Sequence, residues 1–377
     1  MKIAIDASRI DVSKKTGTEY YSLEIIKNLL LIDSNEKNRY IFYSRKPISK
    51  LLFEFSGNNF TNKIISLPRF WTQIGLAWKI LKDKPDVLFI PAHTIPWIHP
   101  EKTMAVIHGL EYEHFPDAYS FFEKIHLRLT TKLALKWAKK IIAPSRTTKN
   151  DLIKFYRADP KQIKVIYHGI PNLTIGQAGK SQIPKSKFQN PNSKKIHKIG
   201  KPYILFIGTI QLRKNLVSLI QSFDFIKEKY KIPHKLILAG KKGFGFKEIK
   251  NAAENSPYKN DVILKDYVSE KEKKDLLKNA DVFAFVSLYE GFGFPILEAM
   301  EAGVPVAASN NSSILEISGD AALLVDSQNT EEIAEAIYKI ISDDSLKKSL
   351  IEKGKENIKR FSWQNCAEKT LEVLESL

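Results

Sequence analysis

Two glutamates, Glu290 and Glu298, stand eight positions apart around a glycine-rich turn in Ser287-Leu-Tyr-Glu290-Gly-Phe-Gly-Phe-Pro-Ile-Leu-Glu298-Ala-Met-Glu-Ala-Gly303. The apolar run Val282-Phe-Ala-Phe-Val286 before them reads as a buried parallel strand. Pro295 fits the first position of a helix and Gly303 the position just past its end. The segment therefore reads strand, loop, short helix, with Glu290 in the loop and Glu298 about one turn into the helix. Gly291 and Gly293, beside Phe292 and Phe294, let the backbone pass close to a ligand. The N–H groups at a helix start favour an anion. Phosphate on backbone amides and sugar hydroxyls on carboxylates together make the chemistry of a nucleotide-sugar site. The competing reading is coincidence, since helices are rich in glutamate.

A second segment, Ile207-Gly208-Thr-Ile-Gln-Leu-Arg213-Lys214-Asn215, follows another buried strand. Gly208 fits a tight exit from that strand. Arg213 and Lys214 would stand at its carboxyl end, where open α/β sheets bind ligands. Arginine suits a diphosphate by its bidentate fork and lysine as a point charge. The bland alternative is a solvated basic turn.

Weaker candidates share that position in the pattern. Lys14-Lys-Thr-Gly17-Thr-Glu19 lies between the first strand and first helix, as a ligand loop or a plain connection. Its single glycine excludes the dinucleotide fingerprint. His108, in Val106-Ile-His108-Gly109, follows a strand as a site residue or a structural histidine. His168-Gly169 reads mainly as a turn into the second half. Gly240-Lys-Lys-Gly243-Phe-Gly245 reads as a flexible loop able to close over a ligand. Phe70, Trp71, Gln73 and Trp97 line an acceptor pocket or belong to the core.

These residues need elements to hold them. The chain has 377 residues, which suits two domains. Strands are expected at Lys2–Asp6, Tyr40–Tyr43, Asp86–Ile90, Met104–Ile107, Lys140–Ala143 and Lys164–Tyr167. A helix capped by Thr18 runs to about Leu31. Asn172 to Lys201 carries seven lysines and no acid, and reads as a linker or exposed loop. Strands resume at Tyr203–Ile207, Lys235–Leu238, Val262–Leu264, Val282–Val286, Val304–Ala307 and Ala322–Val325. Helices follow at Leu216–Lys229, Glu270–Asn279 and Glu331–Ser342, and a last one begins after Ser362. The fold class is α/β, with two Rossmann-like doubly wound domains facing each other across a cleft. The division is 1–175, a linker at 176–200, and 201–361, with helix 362–377 completing the first domain.

One cysteine, Cys366, excludes an internal disulfide and fits a reducing compartment. The start of the chain is charged too soon for a signal peptide, and no stretch is long and apolar enough to span a bilayer. The expected location is cytoplasmic, including the inner face of a membrane. The net charge of +17 has three readings: a solvated lysine-rich surface, an anionic substrate or membrane, or nucleic acid. No nucleic-acid signature accompanies it. Phe121 to Lys140 is basic, apolar-rich and helical. It reads as a core-facing helix with a lysine-rich outer face in preference to a membrane-surface helix.

Glu290-x7-Glu298 with Arg213-Lys214-Asn215, Ala143-Pro-Ser145, His168-Gly169-Ile170 and Phe361-Ser-Trp363 resembles the retaining glycosyltransferases of family 4, over nearly the whole chain. The resemblance implies the GT-B fold and transfer of a hexose, mannose by preference, from a nucleoside diphosphate sugar to the hydroxyl of a sugar or lipid-linked acceptor. It implies no other cofactor and no metal. Arg213 and Lys214 would bind the donor diphosphate and Glu298 the ribose. Glu290 and the amides of Gly291 to Phe294 would hold the transferred sugar, and Val268 would meet the base. His108 would lie near the reacting sugar and acceptor, with Gly208 and Gly17 close to phosphate or acceptor. The loop near Gly17 is less glycine-rich than the family's usual phosphate loop, and two single positions also depart from the family pattern. Thr209 replaces a common arginine, which leaves more phosphate charge to Arg213 and Lys214, and Gly109 replaces a common aspartate beside the histidine. The alternatives are a sugar-nucleotide epimerase of similar fold and a non-enzymatic polyanion-binding protein.

Overall fold

Two parallel sheets organise the chain. The computed structural model describes residues 1–10, 17–33, 36–48, 59–170 and 202–377. The first unit comprises Met1–Gly169 with Phe361–Leu377, and the second Ile170–Arg360. Residues 176–200, Lys14 and Lys15 lie outside the described residues.

The first unit holds β1 (Lys2–Asp6), β2 (Arg39–Ser44), β3 (Phe60–Ile64), β4 (Val87–Ile90), β5 (Thr103–Val106), β6 (Lys140–Ala143) and β7 (Ile163–Val165). Their spatial order is β3-β2-β1-β4-β5-β6-β7, with every pair parallel. Helices cover both faces of such a sheet, so the central strands β1, β4 and β5 are apolar and buried. Strand β3, Phe-Thr-Asn-Lys-Ile, carries no such run because it is an edge and stays partly exposed. The first helix runs Gly17–Ile32, so Thr18 lies inside its first turn and is not its cap.

The terminal helix Trp363–Glu375 is capped by Ser362, whose Oγ accepts from the Asn365 N–H. It packs on helix Gly17–Ile32 within the first unit. Tyr21 and His168 sit against Trp363, His168 stacked at 6.1 Å. A Cβ at Gly169 would stand 2.3 Å from the Trp363 nitrogen. The His168-Gly169 segment therefore serves packing.

Two surface expectations change. Trp71 is core, with Nε1 donating to the Ile65 carbonyl at 3.1 Å, whereas Phe70 and Trp97 are exposed. Helix Phe121–Trp137 buries its small residues Thr130, Thr131 and Ala134 and leaves Phe121, Phe122, Ile125 and Leu129 exposed. Its outer face is apolar as well as basic, while Leu127, Leu135 and Trp137 pack partly buried against the core.

The second unit holds β8 (Tyr203–Ile207), β9 (Lys235–Ala239), β10 (Val262–Lys265), β11 (Val282–Phe285), β12 (Val306–Ser309) and β13 (Ala322–Val325). The order β10-β9-β8-β11-β12-β13 is the doubly wound Rossmann order, again all parallel. Strand β12 begins at Val306, two residues later than expected, because Pro305 has no N–H for the ladder. The Pro305 carbonyl still accepts from the Phe283 N–H at 3.0 Å. The strand order reverses between β8 and β11. Ligands of doubly wound sheets bind at that switch point, beyond the carboxyl ends of the two strands.

Candidate active site

Arg213, Lys214 and Glu290 leave the sheet from the two strands that flank the switch point. After β8 the chain passes Gly208 and makes a short 3-10 turn, Leu212–Lys214. Asn215 closes it in the left-handed region (φ 58°), which asparagine tolerates, and its Nδ2 donates to the Ser327 carbonyl at 2.6 Å. The loop after β9 holds this turn from one side. Ile210 N–H donates to Lys241 O at 2.7 Å, Gly243 N–H to Ile210 O at 2.9 Å and Leu212 N–H to Phe244 O at 3.0 Å. The Gly240–Gly245 loop, expected to be flexible, is thus fastened along its length. Gly240 itself sits at φ 153°, and a Cβ there would meet the Gly208 carbonyl oxygen at 1.7 Å.

After β11 the chain crosses to the same turn. Leu288 N–H donates to Arg213 O at 2.9 Å, and the Arg213 guanidinium donates to the Tyr289 carbonyl. Lys214 Nζ donates to Glu290 Oε1, and Arg213 Nη1 stands 3.1 Å from Glu290 Oε2. Lys214 also lies 5.1 Å from the centre of the Phe285 ring. All three charged side chains are nearly buried. Burial pushes the Glu290 carboxyl up, but the Arg213 and Lys214 cations prevail and hold it at about 2. The three groups sum to one positive charge, on rigid supports.

Serines that open the helix Ser312–Ser318, after β12, fix the Glu290 loop. The Glu290 N–H donates to Ser312 Oγ at 3.0 Å. Ser313 Oγ reaches the carbonyls of Glu290 and Phe292, each at 2.8 Å. Gly291, Phe292 and Gly293 are buried, and Gly293 opens the helix Phe294–Glu301 at φ 109°, a conformation that a Cβ would strain. Pro295 sits in the first turn, so the motif reads as the sequence implies.

Glu298 lies on this helix, 7% exposed. Its partner is Lys273, whose Nζ is 2.7 Å from Glu298 Oε1 and 3.0 Å from Glu270. Burial raises the Glu298 carboxyl, against the pull of Lys273. Lys273 stands on helix Glu270–Lys278, just after the buried Val268, and that helix opens on a Ser269–Glu272 capping box. Sequence reading passed over Lys273 because it sits in a lysine run. The signal was its spacing: three and four residues before the buried Leu276 and Leu277, it shares their face.

Gly17 and His108 belong to the first unit. There, residues at the carboxyl ends of β1, β4 and β5 converge. His108 Nε2 is 2.9 Å from the Pro91 carbonyl, and Arg9 pairs with Glu19 at 3.2 Å, two residues into the helix that Gly17 starts. Burial draws His108 down to about 4, with Arg9 adding to the effect. His93, half-buried beside Arg9 and His108, is drawn down to about 4 in the same way by desolvation. Both imidazoles are neutral at physiological pH. Sequence reading did not single out Arg9 or His93.

A charged site at the switch point of one Rossmann-like sheet, with a second such sheet in the chain, is the arrangement of a two-domain α/β protein with a ligand site. Solved structures share this architecture across the whole chain. Sucrose-phosphate synthase from Thermosynechococcus elongatus matches with TM-score 0.72 at 17% identity, over 100% of this chain and 98% of that one. Anabaena HepE, solved with UDP-glucose, matches with TM-score 0.71 at 19% identity over the full length of both. These likenesses establish the GT-B fold. The sequence matches the model for glycosyl transferases group 1 over residues 189–357 and that for glycosyltransferase family 4 over residues 52–172. The chain belongs to glycosyltransferase family 4 and is a glycosyltransferase. Among its relatives, the O-antigen chain mannosyltransferase B of Escherichia coli is 26% identical over 96% of both chains.

Proposed function

We propose that this glycosyltransferase moves a hexose, mannose in preference to glucose, from a nucleoside diphosphate sugar to a hydroxyl of a growing cell-surface saccharide, with retention at the anomeric carbon. The observation that carries the reading is the buried Arg213–Lys214–Glu290 cluster at the β8/β11 switch point. Two cations offset by one carboxylate keep the net positive charge that a diphosphate requires, and burial strengthens their attraction for it. Preference for mannose rests on the mannosyltransferase relative, and the donor class is supported by the nucleotide-sugar complex of HepE.

The roles follow from the chemistry of each group. Arg213 and Lys214 bind the diphosphate and stabilise the charge that develops on the leaving group as the glycosidic bond breaks, without a metal. The Gly291–Phe294 amides and Glu290 hold the sugar hydroxyls. Glu290 has a second task, since it is the counter-ion of both cations. Glu298, oriented by Lys273, takes the ribose hydroxyls, and Val268 packs against the base. His108, neutral at working pH, accepts or donates a hydrogen bond at the reacting sugar or acceptor. No carboxylate is assigned as general base; the departing phosphate oxygen takes the acceptor proton.

The test is incubation with GDP-mannose and with UDP-glucose, each with and without a mannose-terminated oligosaccharide, read by proton NMR. Transfer with the α-anomeric configuration of the donor preserved supports the proposal. Conversion of the donor to an epimer without acceptor, or a β-linked product, contradicts it.

A further inference from the structure

Among the described residues of the first unit, exposed apolar side chains gather on two helical segments that the sugar chemistry does not use. Ile74, Trp78 and Leu81 recur at intervals of four and three along the continuous helical stretch Trp71–Asp83, Phe70 precedes it four residues before Ile74, and each is 55 to 71% exposed. That spacing is one helix face. The opposite face is buried through Leu76 and Ile80. Helix Phe121–Trp137 repeats the arrangement, with Phe121, Phe122, Ile125 and Leu129 48 to 82% exposed and Ala134 buried.

Both segments bury their inner faces in one core cluster with Leu88, Ile90, Ala105 and Ile107, so both lie on the same face of the sheet. The loop Ile95–His99 joins them. Gln73 accepts from the Trp97 N–H at 2.9 Å and donates to the Ile95 carbonyl at 3.2 Å, while the His99 ring lies 5.5 Å from Trp137. Trp97 and Ile98 on that loop are themselves exposed, at 70% and 44%. The loop thus touches the first segment at Gln73 and the second helix at Trp137, and adds two exposed apolar groups of its own.

Cations frame them. Residues 69–84 carry four basic side chains against one acid, Asp83, which is paired with Lys63. Lys79 and Lys82 lie 5.4 and 5.6 Å from the Trp78 ring. Residues 121–140 carry six basic side chains against one acid, Glu123, which caps its own helix. A second copy of this chain would bring the same positive charge to the contact and be repelled. Arg128 and Lys139 pair with Glu113 and Glu101, but a neutral apolar partner would offer no counter-charge to Lys79, Lys82, Lys132 and Lys136. Apolar groups flanked by lysines suit the headgroup–acyl boundary of an anionic bilayer, where aromatics enter the interface and the lysine stems extend to the phosphates. Among the described residues no helix is long and apolar enough to cross a membrane, which leaves surface docking.

We propose that the first unit docks on an anionic lipid surface through the exposed face of Phe70–Leu81, the Trp97 loop and the Phe121–Leu129 face, with the flanking lysines engaging lipid phosphates. This goes beyond the sugar assignment and stands without it. The test uses the full chain with vesicles of phosphatidylcholine alone, or of phosphatidylcholine and phosphatidylglycerol in equal parts. Binding is read by sedimentation and by the emission of Trp78 and Trp97. We expect binding and a blue shift with the anionic vesicles only, and loss of binding in high salt. Trp78→Ser with Phe122→Ser, and separately Lys79→Gln with Lys132→Gln, should weaken partitioning by about tenfold or more. Far-UV circular dichroism confirms folding, and nucleoside diphosphate affinity, measured on the same samples, should be unchanged. Equal binding to both vesicles, no binding, or full binding by both pairs of variants overturns the proposal. So does concentration-dependent dimerisation that the apolar variants abolish without any vesicle binding.

Discussion

Replacing Glu290 by glutamine removes the shared counter-ion of Arg213 and Lys214 while keeping shape and hydrogen-bonding capacity. The carboxyl is held at about 2 against an ordinary 4.5, a shift of about 2.5 units. At about 1.4 kcal/mol per unit, the charge contributes about 3 kcal/mol to the folded state at neutral pH. The sign follows from the depressed pKa. The stabilisation is complete above the unfolded value near 4.5 and is lost as pH falls toward 2. The difference between wild type and Glu290→Gln should therefore be about 3 kcal/mol at pH 7 and about 1 kcal/mol at pH 3. All five tryptophans, Trp71, Trp78, Trp97, Trp137 and Trp363, lie in the first unit, so intrinsic fluorescence does not report this change. Hydrogen exchange read by mass spectrometry on peptides covering 282–300 does. A difference independent of pH, or below about 1 kcal/mol at pH 7, would refute the placement of Glu290 between two cations.

Three further outcomes follow. Gly240→Ala forces a Cβ onto the Gly208 carbonyl and should destabilise the second unit by more than about 3 kcal/mol, seen as faster exchange across 203–215; a loss under about 1 kcal/mol would show that the two loops do not touch. Burial pushes the Cys366 thiol up to about 12, so an aromatic disulfide reagent at pH 8 should leave it unmodified until the protein is unfolded; rapid native modification would contradict its packing. The His108 imidazole, assigned by comparison with His108→Gln, should titrate in NMR near 4; a midpoint near 6.5 would mean that it is solvated.

The site was readable where its chemistry is local. Glu290, the glycines and Glu298 lie within one strand–loop–helix passage, so spacing alone orders them. The cations Arg213 and Lys214 were readable because they follow a buried strand of the same kind. What spacing does not give is the sheet order, and only the adjacency of β8 and β11 turns two separate motifs into an ion-paired cluster. Lys273 was hidden for the same reason, being 25 residues from Glu298. Ser312 and Ser313 act through hydroxyl-to-backbone bonds that no composition marks. The edge strand β3 lacked an apolar run because it is not buried. The Gly240–Gly245 loop looked mobile by its glycines, yet those glycines permit the close backbone contact that fixes it. Helix Phe121–Trp137 was placed correctly and its outer face misjudged, since periodicity locates a stripe without saying which stripe meets the sheet.

The central claim is that Arg213 and Lys214 bind the donor diphosphate. Calorimetric titration of GDP-mannose and UDP-glucose into wild type, Arg213→Ala and Lys214→Ala tests it most directly, with the thermal transition of each variant confirming a folded protein. One charge-assisted hydrogen bond to phosphate is worth roughly 1.5–3 kcal/mol, so each variant should bind the donor at least about tenfold more weakly. Affinities equal to wild type in both folded variants would contradict the account.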